Sequence, residues 1–596
     1  MIFSYFVVLL YSIPNLKLMK KSILLVLVLF SLIFNLFSQT KSFTAVYDSM
    51  HIRFKVYYAF SDWKAIDWTD LNSRIRPKIV SAESTSDTNA FYLALKQYVA
   101  SVPDGHVSIR GDGWENHKEI ARYQQIGGSY GFTLIGLDDG RFVARLVNPE
   151  SPADIAGMKF GAEILEVNDQ PVIAVLDTVS ILWAEANPAT IESKKLNQFR
   201  FIGRAPVNKT MKIKFLNRGD SEAIIATMTA IDDNYATFDQ TSLIPVDSGP
   251  TVSSEILQPN NFGYLKLTSE GGDSATLAKI YTDFRDALTY FSSADVQGLI
   301  LDMRVNTGGE DMLSAALSGF FSTDTILYEY QSFLNPNSGE FELWPLSLAH
   351  FNPQTLGPYF NPDYPVGSLF SEPQGLHFSK PVIVLVGPRN ISSGEGIPMS
   401  LQRLPNNKVL GFYGSNGSFG MMEWWSYHYL YLPPNDLYLR YPVGRSLNEE
   451  MKIQLDSDST MTGGVLPDIR VPINDSVIDQ LYIDSIDVEL KYAIKQLHSL
   501  IGINEQIIVK SGLSLEQIFP NPISKCTTIS YKLAESDKIN LSIFDLSGRQ
   551  ISVLIQETQE AGIHHIFWDA ENIQAGIYFV RIATIGGTIT RKIVVL

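Results

Sequence analysis

The stretch Val382–Leu401, VIVLVGPRNISSGEGIPMSL, decides how the middle of the chain is read. Apolar residues run unbroken from Val382 to Val386, the pattern of a strand buried on both faces. Gly387-Pro388 ends the run, Arg389-Asn390 turns, and Ser392, Ser393, Gly394 and Glu395 precede a segment that can be helical. A loop from strand to helix needs only a turn residue and an N-cap. A nucleophilic serine needs more. Its hydroxyl must stand exposed on a tight turn, and the next backbone N–H must face a developing oxyanion near a helix N-terminus. Taken alone, the stretch is equally a capped turn, because serines are ordinary N-caps.

Two further stretches supply what such a serine would need. GLILDMRVNTGGED, from Gly298 to Asp311, is a buried-strand pattern ending in a polar loop whose Gly308 and Gly309 let backbone approach a ligand. PDGHV, from Pro103 to Val107, sets His106 on a turn, and histidine is the usual base for serine at neutral pH. Around these, residues 262–490 alternate strand-like runs (FGYLKL, QGLILDMRV, PVIVLVG, NKVLGFYG) with helix-like ones (SATLAKIYTDFRDALTYF, DMLSAALSGFF), which implies an α/β layer. Tyr330–Gly375, rich in Pro, Asn and aromatics, reads as a long surface excursion and a wall of a substrate cleft.

The whole chain has 596 residues, enough for several domains, with 45% hydrophobic and 18% charged residues. Its 47 basic and 63 acidic side chains give a net charge of −16, which argues against a nucleic-acid partner. The single cysteine, Cys526, excludes an intramolecular disulfide and a thiolate metal cluster, and reads as a small half-buried residue. From Met19, MKKSILLVLVLFSLIFNLFSQ has the basic start, apolar stretch and small residue of an export signal, with Met19 the expected start.

Between Gly127 and Ala230, the segments SYGFTL and SPADIAGMKFGAEILEVNDQPV resemble a PDZ domain of the bacterial protease-associated kind. The resemblance implies that N–H groups near Tyr130, Gly131 and Phe132 bind a peptide's terminal carboxylate, the peptide adding a strand beside that loop. A helical insertion between Val175 and Val207 interrupts the expected spacing. Near the C-terminus, Phe519-Pro520-Asn521-Pro522, Phe544-Asp545, Gly548, Trp568-Asp569, Gly576-Ile577-Tyr578 and the end Arg591–Leu596 resemble the sorting domain of proteins exported by the type IX system of Bacteroidetes.

The central motifs resemble the peptidase family of C-terminal processing proteases and the tricorn core protease. Leu299–Gly309 matches its Leu-Ile-Leu-Asp-x-Arg-x-Asn-x-Gly-Gly, Ser392 stands three residues before Glu395, and Gly464–Asp468 matches its closing Gly-Val-x-Pro-Asp. The resemblance implies Ser392 as nucleophile and N–H groups of Gly308 and Ser393 as oxyanion donors. Processing-protease relatives take their base from a lysine in a Thr-Phe-Gly-Lys-Gly setting. Here GSNGSFGMM has Met421 instead, and Lys408 lies too early. Tricorn-like relatives use a histidine ahead of the PDZ unit, which implies His106. The acid that orients it is open among Glu395, Glu450, Asp456 and Asp458, since Met461 occupies the relatives' glutamate position and Gly105 replaces their serine. Asp302 and Arg304 read as a structural pair. Trp424, Trp425, Tyr427, Tyr429 and Tyr431 read as a half-buried strand or a cleft wall, with His428 a minor rival base.

These readings give a multidomain α/β chain: signal peptide 1–39, helical N-terminal subdomain 40–121 carrying His106, PDZ domain 122–232, crotonase-like α/β peptidase core 233–495, linker 496–513, and C-terminal all-β sandwich 514–596. The expected function is a secreted serine peptidase acting on extended or unstructured protein chains, with a PDZ unit for C-terminus recognition, no metal or organic cofactor, and the type IX machinery as partner. It would work outside the cell or at the outer-membrane surface after passing the periplasm. The alternative is a catalytically weak or inactive peptide-binding protein of the cell surface.

Overall fold

The computed structural model describes residues 42–241, 249–335, 337–345, 348–352, 357–423, 426–430, 437–501, 513–519, 521, 523–545, 549–584 and 587–595. The export stretch 1–39, Trp424, Trp425, Tyr431, Pro520, Pro522, Gly548 and most of the expected linker lie outside them. Among the described residues, no helix is long and apolar enough to cross a membrane.

The N-terminal unit is helical, over Phe43–Tyr57, Trp68–Ser84, Thr88–Ala100 and Glu115–Ile126. Ser42, Asp67 and Asp87 cap the first three by accepting N–H bonds of the opening turn. Their aromatic faces (Tyr47, Phe54, Trp68, Phe91, Tyr98) share one core with Leu437, Leu439 and Tyr441 from much later in the chain. The short strand Ser108–Arg110 pairs antiparallel with Tyr438–Arg440, which pairs with Tyr427–Tyr429. His106 therefore stands on a turn fixed from two distant parts of the sequence.

The next unit is an antiparallel sheet in the order Phe132–Gly136, Phe142–Val147, Glu163–Val167, Thr210–Leu216, Ile224–Thr229. The expected helical insertion is present as Ile191–Phe201, packed against the outer strand Phe132–Gly136.

The central sheet runs Val252–Leu257, Phe262–Leu267, Leu299–Asp302, Val382–Leu385, Asn407–Gly411, Ile469–Arg470, antiparallel in its first pair and parallel afterwards. Leu299–Asp302 and Val382–Leu385 are buried at every residue, as their unbroken apolar runs require. Helices Ser274–Ser293, Asp311–Ser318 and Gly396–Gln402 cover one face, and Asp475–Tyr482 and Val488–Leu500 the other. In such a sheet the loops at the carboxyl ends of adjacent strands converge. The loops after Asp302 and Leu385 are those carrying Gly308 and Ser392.

Tyr330–Gly375 differs from the expected irregular excursion. About half of its described residues are strands of a second sheet in the order Phe341–Leu343, Ile326–Leu334, Ser368–Ser371, Leu348–Asn352, Gly357–Phe360, with Gly444–Leu447 also paired to Ile326–Leu334. The prolines misled the sequence reading. Pro358 sits in the edge strand Gly357–Phe360, where a missing N–H does no harm.

The C-terminal residues form two sheets, Leu513–Phe519/Cys526–Leu533/Gly562–Asp569 and Gln550–Gln559/Asp537–Asp545/Gly576–Thr584/Gly587–Val595, closing over one core that includes Ile529, Tyr531, Leu541, Trp568 and Val580. Cys526 is half-buried and free.

Candidate active site

The turn after Val382–Leu385 separates the two serines. Ser392 adopts φ +60°, a left-handed conformation rare for a residue with a side chain, and it lines a cavity of about 570 Å³. Such strain on a strand-to-helix turn presents a hydroxyl outward. Ser393 is fully buried, and its Oγ accepts the Gly309 N–H at 2.6 Å, stapling the turn to the glycine loop. Gly394 is demanded by closeness, since a Cβ there would lie 2.5 Å from Asn306 O. Gly308 has φ +87°, and a Cβ on it would come 2.8 Å from Ser392 Cβ and 3.0 Å from Ser393 N. The glycine loop and the serine turn thus touch.

Gly308 and Gly309 line the same cavity as Ser392 and His106. The Gly308 N–H, expected to be free for an oxyanion, instead donates to Asn306 Oδ1 at 2.8 Å. An asparagine two residues before a glycine can close this local ring, and the pattern Asn-x-Gly does so here.

His106 is 3% exposed, and neither ring nitrogen has a hydrogen-bond partner among the described residues. Its Nδ1 lies 3.5 Å from Asp104 Oδ1. That oxygen also accepts the His106 backbone N–H at 2.9 Å, while Asp104 Oδ2 accepts the Tyr58 hydroxyl at 2.8 Å. Burial alone would raise the Asp104 pKa, but its contacts with His106 and the nearby Lys64 ammonium hold it at about 2. Asp104 was not among the acids weighed from sequence. Its spacing, two residues before the histidine in Pro-Asp-Gly-His, is the signal that could have found it, because an Asx turn brings residue i against residue i+2.

Glu395 takes a different place. Wholly buried, it accepts the N–H groups of Gly417 at 2.8 Å and Ser418 at 3.0 Å. Burial raises it to about 7, despite the bonds from Ser415, Gly417 and Ser418 and the field of Lys64. Ser418 is the bridge of the site: its carbonyl accepts the Ser392 N–H at 2.8 Å and its Oγ accepts the Gly105 N–H at 2.8 Å. A Cβ on Gly105 would fall 2.9 Å from Asn416 Oδ1, so glycine is what lets the histidine turn reach this loop. Glu395 thereby fixes the loop that ties Ser392 to His106, without touching either ring nitrogen.

The remaining acids separate cleanly. Glu450 is exposed and paired with Lys452 at 2.6 Å, so the structure does not bring it to His106. Asp458 is spent on its own turn, accepting from Thr460 and Thr462. Asp456 is buried, with neither oxygen hydrogen-bonded to a side chain; burial and the charges of Asp104 and Glu395 raise its pKa against the pull of Lys64. Lys64, which sequence reasoning missed, is 4% exposed and donates to Ser457 O and Oγ at 2.8 Å each. Lys408 and His428 do not line the cavity, and Met421 does. Asp302 and Arg304 form the expected pair, at 2.6 Å, extended to Asp487 and Glu489.

The loop Ser129–Phe132 of the second unit is bonded within the chain. Tyr130 N–H donates to Gly203 O at 2.9 Å and Gly131 N–H to Ser129 Oγ at 3.0 Å. Tyr130 and Phe132 are buried, and a Cβ on Gly203 would lie 2.0 Å from Phe132 O. Of the three amides expected to bind a peptide carboxylate, those of Tyr130 and Gly131 thus already have partners within the chain, and the inserted helix Ile191–Phe201 packs against the strand that begins at Phe132.

The sequence of residues 261–471 matches the description Peptidase family S41, and residues 517–596 match Secretion system C-terminal sorting domain. Residues 261–471 form a peptidase family S41 domain. The chain is therefore a serine-type peptidase, and its sorting domain directs it through the periplasm to the cell surface or beyond. No curated protein sequence matches the chain. Among solved structures, mature CPAF is similar at TM-score 0.52 and 15% identity, over 79% of this chain and 99% of that one, which shows a shared fold. A putative S41 protease from Bacteroides fragilis is similar at TM-score 0.32 and 18% identity, over 70% of this chain and 90% of its own. The photosystem II D1 C-terminal processing protease is similar at TM-score 0.33 and 15% identity, over 75% and 97%.

Proposed function

We propose that the S41 domain hydrolyses peptide bonds with Ser392 as nucleophile, His106 as its base and Asp104 as the acid that orients the imidazole. Ser392 Oγ attacks the scissile carbonyl while His106 takes its proton. The tetrahedral oxyanion is held by the N–H of Ser393 and by that of Gly308, which exchanges Asn306 Oδ1 for the substrate oxygen. His106 then returns the proton to the leaving amine, and water repeats the cycle on the acyl-enzyme. The observation that carries this reading is Ser392 at φ +60° on the wall of one cavity with His106, the two turns joined through Ser418.

The cavity supports the expected substrate class. It is a cleft between the helical unit, the S41 domain and the second sheet, which contributes Gln331 and Phe333. An extended, unstructured chain fits such a cleft, whereas a folded one would have to open first. We read the S41 core as crotonase-like and the preceding sheet unit as PDZ-type, with its groove filled by Ile191–Phe201; in this reading it braces the core rather than capturing chain ends. The domain limits given from sequence are kept, except that residues 437–443 belong by packing to the helical unit. The test is hydrolysis of an unfolded, fluorogenic casein by the exported chain. Wild type should cleave it, and Ser392→Ala and His106→Ala, folded by circular dichroism, should each lose at least about a thousandfold in kcat/KM. Wild-type-like turnover in either variant would remove that residue from the mechanism.

A further inference from the structure

Beneath the glycine loop lies a carboxyl group that this mechanism does not use. Glu270 is wholly buried just beyond the strand Phe262–Leu267. Its main chain is joined to the loop, with Glu270 N–H donating to Gly308 O at 3.1 Å and Glu310 N–H donating to Glu270 O at 3.0 Å. Its side chain reaches the same loop. Asn306 Nδ2 donates to Glu270 Oε1 at 3.0 Å, and Asn306 Oδ1 accepts the Gly308 N–H at 2.8 Å. Glu270 Oε2 lacks a partner of good hydrogen-bond geometry among the described residues, with the hydroxyls of Ser314 and Ser393 nearby. The titratable groups around it are Glu310, whose N–H bonds Glu270 O, Asp311 on the helix after the loop and Tyr328 on Ile326–Leu334, with Glu329 beyond Asp311.

We propose that Glu270 is a positioning residue for the oxyanion site, acting through Asn306 to set how firmly the Gly308 N–H is held from the substrate oxygen. The inference rests on Ser392 being the nucleophile. As a carboxylate, Glu270 grips Asn306 through a charge-assisted bond and places negative charge beneath the forming oxyanion. As a neutral acid, it holds Asn306 less tightly and adds no opposing charge. Burial raises Glu270 to about 8, against the opposite pull of Ser314, Asn306 and Ser393, so the change falls just above neutrality. Reactivity of the serine site therefore declines as pH rises through that range. A purely structural carboxyl would change the folded fraction with pH, not the reactivity of folded sites.

The readout is the second-order rate of fluorophosphonate labelling of the full chain from about pH 6.5 to about pH 9.5, corrected for folded fraction. Glu270→Gln keeps the shape and the acceptor for Asn306 Nδ2 but cannot titrate. The wild-type rate should fall roughly fivefold to tenfold across the alkaline half, while Glu270→Gln stays level within about twofold. An alkaline fall of equal size in Glu270→Gln overturns the inference. Ser392→Ala runs alongside: label retained there, or absent from wild type, removes the nucleophile and this inference with it. Label lost there, with an unchanged alkaline fall in Glu270→Gln, removes only Glu270. If Glu270→Gln does not fold, Ser314→Ala decides. Losing a hydroxyl that favours ionised Glu270 should move the wild-type fall upward by about half a pH unit or more, and an unmoved fall overturns the inference.

Discussion

The turn at Ser392–Glu395 and the loop at Ser129–Phe132 are both glycine-bearing segments whose patterns imply a ligand, yet they spend their polar groups differently. Ser392 stands on the wall of a cavity of about 570 Å³, its partner serine folded inward as a staple. At the other loop, the amides of Tyr130 and Gly131 are bonded to Gly203 and Ser129, and the inserted helix Ile191–Phe201 lies against the neighbouring strand. A motif marks how a backbone turns; whether it binds anything depends on which polar groups the rest of the chain has left free.

The largest expected effect on this contrast is at the open site. Asp104→Asn keeps one oxygen to accept the His106 backbone N–H, replaces the acceptor of the Tyr58 hydroxyl by an NH2 group that the hydroxyl can turn to accept from, removes the charge and favours the wrong imidazole tautomer. It should lower kcat by about a hundredfold to ten-thousandfold with little change in KM. Loss of less than about threefold would remove Asp104 as the orienting acid. At the closed loop the effect is on folding. Gly131 has φ +86°, and a Cβ there would lie 2.0 Å from Ser151 Cβ, so Gly131→Ala should destabilise by about 3 kcal/mol or more in urea unfolding. A near-neutral Gly131→Ala would mean that the loop is looser than these contacts imply. Titration with a peptide acid and its amide should show no difference in affinity attributable to this loop; clear preference for the acid would reopen it as a recognition site.

The adjacent serines sharpen the same point on a smaller scale. Ser393→Ala removes the acceptor of the part-buried Gly309 N–H and should cost about 1 kcal/mol while leaving residual turnover. Ser392→Ala should abolish turnover at almost no cost in stability. If both variants behaved alike, the division of labour between the two residues would be wrong.

Much of this was legible in the sequence, for identifiable reasons. Leu299–Asp302 and Val382–Leu385 are buried on both faces, so their apolar runs announced parallel strands, and a parallel sheet brings the loops carrying Gly308 and Ser392 together. What was not legible depends on contacts distant in sequence. Asp104 looked like a turn residue, and only the fold shows it against the His106 ring with Tyr58 and Lys64 behind it. Glu395 reads as part of a catalytic motif, yet its bonds are to Gly417 and Ser418, positions that a linear pattern cannot pair with it. The packing around Ser129–Phe132 was hidden for a similar reason: an insertion is visible in sequence, but where its helix docks is not. The strands within Tyr330–Gly375 were hidden by composition, because a proline such as Pro358 counts against a sheet that it does not disturb from an edge strand.

The smallest expected effect concerns pH and stability. Glu395 and Glu329 are each raised from 4.5 to about 7, first by burial. Each binds its proton more tightly in the folded chain than in the unfolded one, so each contributes stability that is full below pH 4.5 and is lost as pH rises through about 7. Asp104, with a depressed pKa, acts in the opposite direction only at more acidic pH. The melting temperature should therefore fall by a few degrees between about pH 5 and about pH 8, and Glu395→Gln and Glu329→Gln should each flatten that slope. A melting temperature that rises across this window would contradict the buried, proton-binding state assigned to these groups.

The account stands most directly on which serine reacts. A fluorophosphonate adduct on the purified, exported chain, digested and mapped by tandem mass spectrometry, should sit on Ser392 in the peptide spanning Ile391–Glu395, with Ser393 unmodified and the adduct lost in folded Ser392→Ala. An adduct on Ser393, or on a serine outside the cavity shared with His106, would contradict the account.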